Sequence, residues 1–277
     1  MEHKVALVTG ATSGIGASAA RKLKAHGYTV YGLGRRADRL AELARDGIHT
    51  LEADLTDPGS LAAATELLMT GAQRIDVLVN NAGYGALGSL EETSLAEGRQ
   101  QFDVNLFGAV RLIQLVLPHM RAQGSGRIIN VTSAGGKAHT PLGSWYHGTK
   151  FAMEGMSDAL RYEVGQFGID VVVIEPGATD TEWGSIAAEH VIRTSGSGPY
   201  ARQARALADS LASTRTTSRL SPPDVVAEAI VKAATVPQPR TRYAVGFGAK
   251  PVVTARRLLS DRAYDAMLER LSGVPRN

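Results

Sequence analysis

The chain contains no cysteine, so disulfides and thiolate metal sites are excluded together. No window approaches the ~20 uninterrupted apolar residues that a membrane-spanning helix needs. The start, MEHKVALVTG, has no apolar run after its charged residues, so no secretory signal is expected. These absences point to a soluble, cytoplasmic protein. Aromatics are only 5% of residues, and they do not interleave with arginines as a nucleic-acid groove requires. Nucleic acid is therefore not an expected partner. The seven histidines are scattered without a His-x-x-x-His pair, so no metal is expected, and His147 reads as a surface residue.

What is present fits a globular enzyme-sized chain. At 277 residues, 44% hydrophobic and 21% charged, it can bury a substantial core as one large α/β domain or two small ones. Residues 1–192 carry 16 basic against 21 acidic side chains, and residues 193–277 carry 14 against 6. The basic C-terminal part suits either a solvated arginine-rich face or attraction of an anionic substrate or surface.

Short apolar, β-branched runs alternate with helical patterns through the first two-thirds. Strands are expected at 4–10, 29–34, 48–54, 75–81, 126–133 and 169–177, with helices at 15–26, 38–46, 58–70, 95–123 and 146–167. Strands apolar on both sides, separated by helices, define a doubly wound α/β fold with a parallel sheet covered on both faces. Beyond Gly177 the pattern loosens. Polar Gly/Ser/Pro-rich loops are expected at 193–200 and 214–223, a helix from Pro223, a last strand at 242–246 and short helices within 250–271. No linker separates a second domain. The expectation is one domain, residues 1–180 forming a cofactor-binding and catalytic core and residues 181–277 a substrate lid and C-terminal lobe.

The first strand runs into TGATSGIG (9–16) and then a helix. Gly10 would permit the tight turn, Gly14 the approach of a pyrophosphate, and Gly16 close helix–strand contact. The helix N-terminus offers unpaired N–H groups to phosphate. No lysine follows in the Walker arrangement. The second strand ends in Gly34, Arg35 and Arg36 where an acidic residue would select NAD, so the arginines favour the 2′-phosphate of NADP.

The stretch YHGTK sets Tyr146 and Lys150 one helical turn apart on one face. Tyrosine and lysine are common surface residues, and alone the pair carries little. With TGATSGIG it joins NNAG (80–83), Asn105 in FDVNLFGAV, Ser133 in INVTS and PGATDT (176–181). In this order and spacing the sequence resembles the short-chain dehydrogenase/reductase family over roughly residues 4–180. Its look is nearest the hydroxysteroid and retinol dehydrogenase branch.

The resemblance implies a catalytic tetrad of Asn105, Ser133, Tyr146 and Lys150. Tyr146 would be the acid–base, its pKa lowered by Lys150. Ser133 would donate to the substrate carbonyl, and Asn105 would hold a water relaying protons to Lys150. It further implies NADP(H) contacts from Gly10, Thr12, Ser13, Gly14, Ile15 and Gly16, from Arg35 and Arg36, and from Asp54 and Leu55 at the adenine. Asn81, Ala82 and Gly83 would run beside the adenine ribose, with Asn80 tying strands together. Tyr146 and Lys150 would meet the nicotinamide ribose, and Pro176, Gly177, Thr179 and Thr181 the nicotinamide amide. Gly148 and Thr149 depart from the small residue and serine usual before the lysine.

A helix–loop–helix over 181–212 would form a mobile lid carrying Trp183, Ile186, Val191, Ile192 and Leu207, facing Tyr84, Leu87, Leu142 and Trp145. This apolar lining suits a bulky ketone or secondary alcohol, steroid-, retinoid- or lipid-like. The family's habit of pairing the helices at 95–123 and 146–167 implies a homodimer or homotetramer. Two other readings stand beside NADP-linked reduction: NAD-linked alcohol oxidation, and a non-catalytic NADP-binding regulator that keeps the fold. A serine hydrolase is excluded, since Ser133 lacks the G-x-S-x-G elbow.

Overall fold

The computed structural model describes residues 4–216 and 220–274. Among these, seven strands form one sheet: β1 (Val5–Thr9), β2 (Thr29–Gly34), β3 (His49–Glu52), β4 (Val77–Asn80), β5 (Gly126–Val131), β6 (Ile169–Pro176) and β7 (Arg242–Val245). All pairings are parallel, in the order β3-β2-β1-β4-β5-β6-β7. The order reverses direction between β1 and β4, and the crevice beyond the strand ends at such a switch point is where doubly wound folds bind ligands.

Alternation along each strand divides the core in two. Ala6, Val8, Ile129, Val172 and Ile174 face helices α1 (Gly14–Ala25) and α9 (Pro223–Thr235). Leu7, Leu78, Ile128 and Val171 face the other way, onto α3 (Pro58–Ala72), α5 (Gly108–Gln123) and α6 (Ser144–Gly165). Helix α2 (Ala37–Arg45) packs beside β2 and β3. Helix α9 is pinned at its C-terminal end: Arg127 donates to the carbonyls of Ala233 and Val236 at 2.6 and 2.8 Å, and the Tyr28 hydroxyl donates to Ala234 O.

The strands fall within the expected ranges, each trimmed by a residue or more except β2. The expected helix 95–123 is interrupted. It runs as α4 (Leu95–Phe102), one π turn (Asp103–Phe107) and α5, and the π turn places Asn105. A one-residue change of helical winding leaves no mark in apolar periodicity, so it was not legible. Helices α7 (Trp183–Ser195) and α8 (Ala201–Thr216) form the expected helix–loop–helix, each longer than expected. Residues 193–195 continue α7, and 214–216 of the expected loop continue α8, while 217–219 lie outside the described residues. Helices α10 (Ala249–Leu258) and α11 (Asp261–Ser272) follow β7. No helix of the described residues is long and apolar enough to cross a membrane.

Candidate active site

The phosphate loop has the backbone that its sequence demands. Gly10 (φ 63°) and Gly14 (φ 51°) are left-handed, a region open to glycine at little cost. A Cβ at Gly16 would collide with the Gly10 carbonyl oxygen, so only glycine lets α1 start this close to β1. The Asn81 amide donates to Thr9 O at 3.0 Å, and the N–H groups of Asn81 and Ala82 both reach Thr9 Oγ1, locking the NNAG segment to the loop. Asn80 donates to Asn130 at 3.0 Å, tying β4 to β5 as expected.

These residues fit a dinucleotide. Ser13 precedes α1 without capping it through its side chain, and the first turn holds no acidic residue. By contrast Asp57 and Ser94 cap α3 and α4. The donors at the α1 N-terminus are thus left for an anion. A cavity of about 450 Å³ follows the loop, lined by Thr12, Ser13, Gly14, Arg39, Thr181 and Glu182 among others.

The two arginines differ. Arg36 reaches back to the loop, donating to Thr12 Oγ1 and Ser13 Oγ at 3.2 Å. Arg35 turns toward Asp54, 3.5 Å away. Asp54 accepts from Thr56 N and Oγ1, bonds that with Arg35 hold its carboxyl below the usual range. Leu55 packs beneath Gly108, where a Cβ would strike it. Arg39 was missed, although it lies one turn beyond Arg36. It pairs with Glu182 at 3.2 Å, and Glu182 also lies 3.6 Å from Arg36.

The catalytic expectations converge at the ends of β4 and β5. The Ser133 hydroxyl acts on the buried Tyr146 phenol. Lys150 donates to Val131 O at 3.0 Å. Asn105 brackets Tyr84, accepting from its N–H at 3.0 Å and donating to its carbonyl at 2.9 Å, and it also reaches Thr149 Oγ1. Its amide therefore braces the segment after NNAG against α6. A Cβ on Gly83 would lie 3.1 Å from Asn105 Oδ1 and 3.6 Å from Lys150 Nζ, so glycine keeps this corner open. Thr149, the departure noted above, donates to Tyr146 O at 2.7 Å.

One electrostatic expectation is corrected. Burial pushes the Tyr146 phenol up, with the Ser133 hydroxyl opposing it. Burial likewise pushes Lys150 down to about 8 against the pull of Glu154. Desolvation acts on both groups and favours their neutral forms.

The surroundings bring further corrections. His147 is buried rather than on the surface. Thr140 N donates to its Nε2 at 2.9 Å, so Nδ1 carries the proton and donates to Gly135 O at 2.8 Å. It thereby ties Gly135 and Thr140, in the loop between Ser133 and Tyr146, to α6. Trp145 does not face Tyr146. Successive helical positions point about 100° apart, and its ring packs edge-on to Phe102 and against Gly98 of α4.

Ile186 and Ile192 are exposed, because the inward face of α7 is Trp183, Ala187, His190 and Val191. That face joins Leu207 of α8, Leu87, Leu142 and Tyr146 in one apolar cluster. Trp183 lies against the Tyr146 ring and fills the space over Gly85. Tyr84 is half-buried, its phenol pushed up by burial and by Glu97. Leu142 is left-handed (φ 58°), a strained conformation for leucine, and borders a cleft of about 500 Å³ lined also by Ser89, Leu90, Glu91 and Tyr200.

Residues 176–181 are braced by partners that sequence reasoning missed. Ala178 pairs with Phe247, and Ser221 exchanges backbone bonds with Ala178 and Asp180. A Cβ on Gly177 would strike Phe247 O. Thr179 turns its hydroxyl to Gly177 O, and Thr181 Oγ1 accepts from Trp183 N.

The family model for short chain dehydrogenases matches residues 4–190, and the chain belongs to that family. It is similar to a 3-ketodihydrosphingosine reductase of Bacteroides thetaiotaomicron, 39% identical over 65% of this chain and 66% of the relative. A short-chain dehydrogenase structure from Streptomyces avermitilis matches with a TM-score of 0.80 and 33% identity, over 99% of this chain and 98% of that one. An alcohol dehydrogenase of Thermococcus sibiricus, complexed with 5-hydroxy-NADP, matches with a TM-score of 0.71 and 26% identity, over 87% and 95%. The protein is an oxidoreductase of this family with a Rossmann-type fold.

Proposed function

We propose that the protein uses NADP(H) to interconvert a bulky apolar ketone and its secondary alcohol. The observation that carries this reading is the buried Tyr146 phenol with buried Lys150 one turn on along α6, Lys150 anchored to Val131 O at the end of β5, just before Ser133. When bound, the nicotinamide supplies the hydride for reduction or takes it up in oxidation. In reduction, Ser133 and Tyr146 both donate to the carbonyl oxygen, and Tyr146 passes its proton there as negative charge develops. Lys150 faces the resulting phenolate with its ammonium, and its remaining donors are free for the ribose hydroxyls.

Cofactor contacts divide by element. Gly10 to Gly16, with Thr12, Ser13 and Ile15, hold the pyrophosphate. Asp54 and Leu55 hold the adenine, and Asn81, Ala82 and Gly83 the adenine ribose. Pro176, Gly177, Thr179 and Thr181 meet the nicotinamide amide. Arg36 and Arg35 pair with the 2′-phosphate. The NADP-type ligand of the Thermococcus neighbour supports that choice.

Helices α7 and α8 act as the lid, closing Trp183, Val191 and Leu207 over Leu87 and Leu142. That apolar enclosure supports a bulky substrate, as does the Bacteroides relative named as a 3-keto reductase. Phe107 and Phe151 lie on the expected pairing helices and are 56% and 46% exposed, which supports a homodimer or homotetramer.

The test is NADPH oxidation measured across steroids, retinals, acyl ketones and small polar ketones. Activity confined to small polar or sugar-like carbonyls would overturn the apolar-substrate reading. A single species of about 29 kDa by light scattering would overturn the oligomer.

A further inference from the structure

One buried carboxylate joins the two sides of the Ser133 loop to the helix that carries Tyr146 and Lys150. Glu154 lies one turn after Lys150 on α6 and is 2% exposed. Its Oε1 accepts from Thr132 Oγ1 at 2.6 Å. Its Oε2 lies 2.9 Å from Lys137 Nζ and 3.0 Å from Arg242 Nε. Thr132 immediately precedes Ser133, and Lys137 directly follows the short 3₁₀ turn Ala134–Gly136. The carboxylate therefore grips the chain before and after Ser133.

We propose that Glu154 is a positioning residue for the oxidoreductase reaction: it fixes Ser133 from both sides and sets a buried carboxylate one helical turn from Lys150. This rests on the reading of Tyr146 and Lys150 given above. Every charged group around it enters the balance. Lys150 precedes it on α6, and Asp158 follows it, paired with Arg161 and Arg242. Lys137 approaches from the segment after β5, Arg242 from β7, and Glu175 from β6 at 3.5 Å from Arg242. Burial, then the nearby Glu154 charge, push Glu175 upward. Of the two buried carboxylates, Glu154 is the one in contact with Lys137, Arg242 and the Thr132 hydroxyl together. It is also the partner whose charge opposes the desolvation of Lys150.

Glu154→Gln keeps the shape and can still accept from Thr132, but it removes the charge. Lys137 can then turn to solvent, and Arg242 keeps Asp158. Removing a negative charge here lowers the pKa of Lys150 and of Tyr146 alike. The sign of the effect is therefore the same whichever group sets the alkaline limb of carbonyl reduction. Lys137→Gln removes a cation that competes for the carboxylate and acts in the opposite direction.

The experiment is the pH profile of kcat/KM for carbonyl reduction at saturating NADPH, with NADPH affinity measured beside it. Glu154→Gln should move the alkaline limb down by about half a pH unit or more and lower kcat about tenfold, with NADPH affinity changed less than about threefold. Lys137→Gln should move the limb up. A uniform loss of rate with the limb unmoved, or limbs shifted in the same direction by both variants, overturns the proposal. Should Glu154→Gln fail to fold, an unmoved or lowered limb in Lys137→Gln is sufficient to overturn it. Tyr146→Phe and Lys150→Ala are measured in parallel. If they retain the rate, the underlying catalytic reading fails instead, and the two failures are told apart.

Discussion

Trp183 lies over Tyr146, their ring centroids 5.2 Å apart and the planes inclined at 54°. A carbonyl approaching the phenol from that side must displace the indole or stack upon it. Trp183→Ala is expected to raise KM for bulky apolar substrates about threefold to tenfold, the equivalent of the ~0.5–1.5 kcal/mol of an aromatic contact. Small ketones should change little. Steady-state kinetics over a series of increasing substrate size checks this, and an equal loss across the series would refute it.

Cofactor choice is expected to depend on Arg36 more than on Arg35, since Arg36 is the one that reaches the phosphate loop. Arg36→Asp should weaken NADPH binding roughly tenfold to a hundredfold, the value of a lost charge-assisted pair, and leave NADH binding nearly unchanged. Arg35→Asp should shift preference the same way by less. Glu182 holds Arg36 and Arg39 where an anion would sit, so Glu182→Gln should tighten NADPH binding a few-fold. Fluorescence titrations with both cofactors decide. Equal affinity for NADPH and NADH in the unaltered protein would sink the NADP reading.

Lys150, held down to about 8 by burial, loses its ammonium above that pH, so kcat/KM should fall above about pH 8. Stability should run the other way. The folded value lies below the ordinary 10.5, so between about 8 and 10.5 the unfolded chain binds more protons, and stability rises with pH. Lys150→Met should remove that slope from thermal melts taken across this window. A slope surviving the substitution would place its origin elsewhere.

His147 is neutral in the fold, burial having lowered its pKa below the ordinary 6.5. As pH falls below 6.5, the unfolded chain takes up a proton that the folded protein resists, so this residue's contribution to stability is lost on the acid side. His147→Leu leaves Thr140 N and Gly135 O without their partner and should cost on the order of 1–3 kcal/mol. Chemical denaturation at neutral pH measures that cost. A difference under about half a kilocalorie would show the loop 134–143 to be held by other contacts.

Where the sequence was legible, physical periodicity made it so. Val5 to Thr9 and Ile169 to Pro176 are apolar on both sides because helices cover both faces of the sheet, and that pattern survives without any structure. The glycine loop was legible because two left-handed residues and one forbidden Cβ leave no alternative to glycine. Side-chain direction was not. Trp145 and His147 flank Tyr146 in the chain, and only the packing of α6 against α4 and against the loop 134–143 decides where they point. Glu154 was written in the sequence at one turn from Lys150, yet its partners come from two other segments, Thr132 and Lys137 from the loop after β5 and Arg242 from β7. Ser221 and Phe247 lie far along the chain from the 176–181 loop that they brace, and no local pattern marks such a pairing.

Strand β7 covers the outer edge of β6, and the chain reaches it only after the whole excursion from 181 to 241. During synthesis β6 therefore emerges with an unpaired row of donors and acceptors, its flank still lacking the apolar face of α9. A nascent chain stalled or cut between α7 and α9 carries the glycine loop, Ser133, Tyr146 and Lys150 complete, and yet ends in an open β edge. Its expected fate is association through that edge, and a truncation in this interval yields an aggregating product instead of a smaller working enzyme.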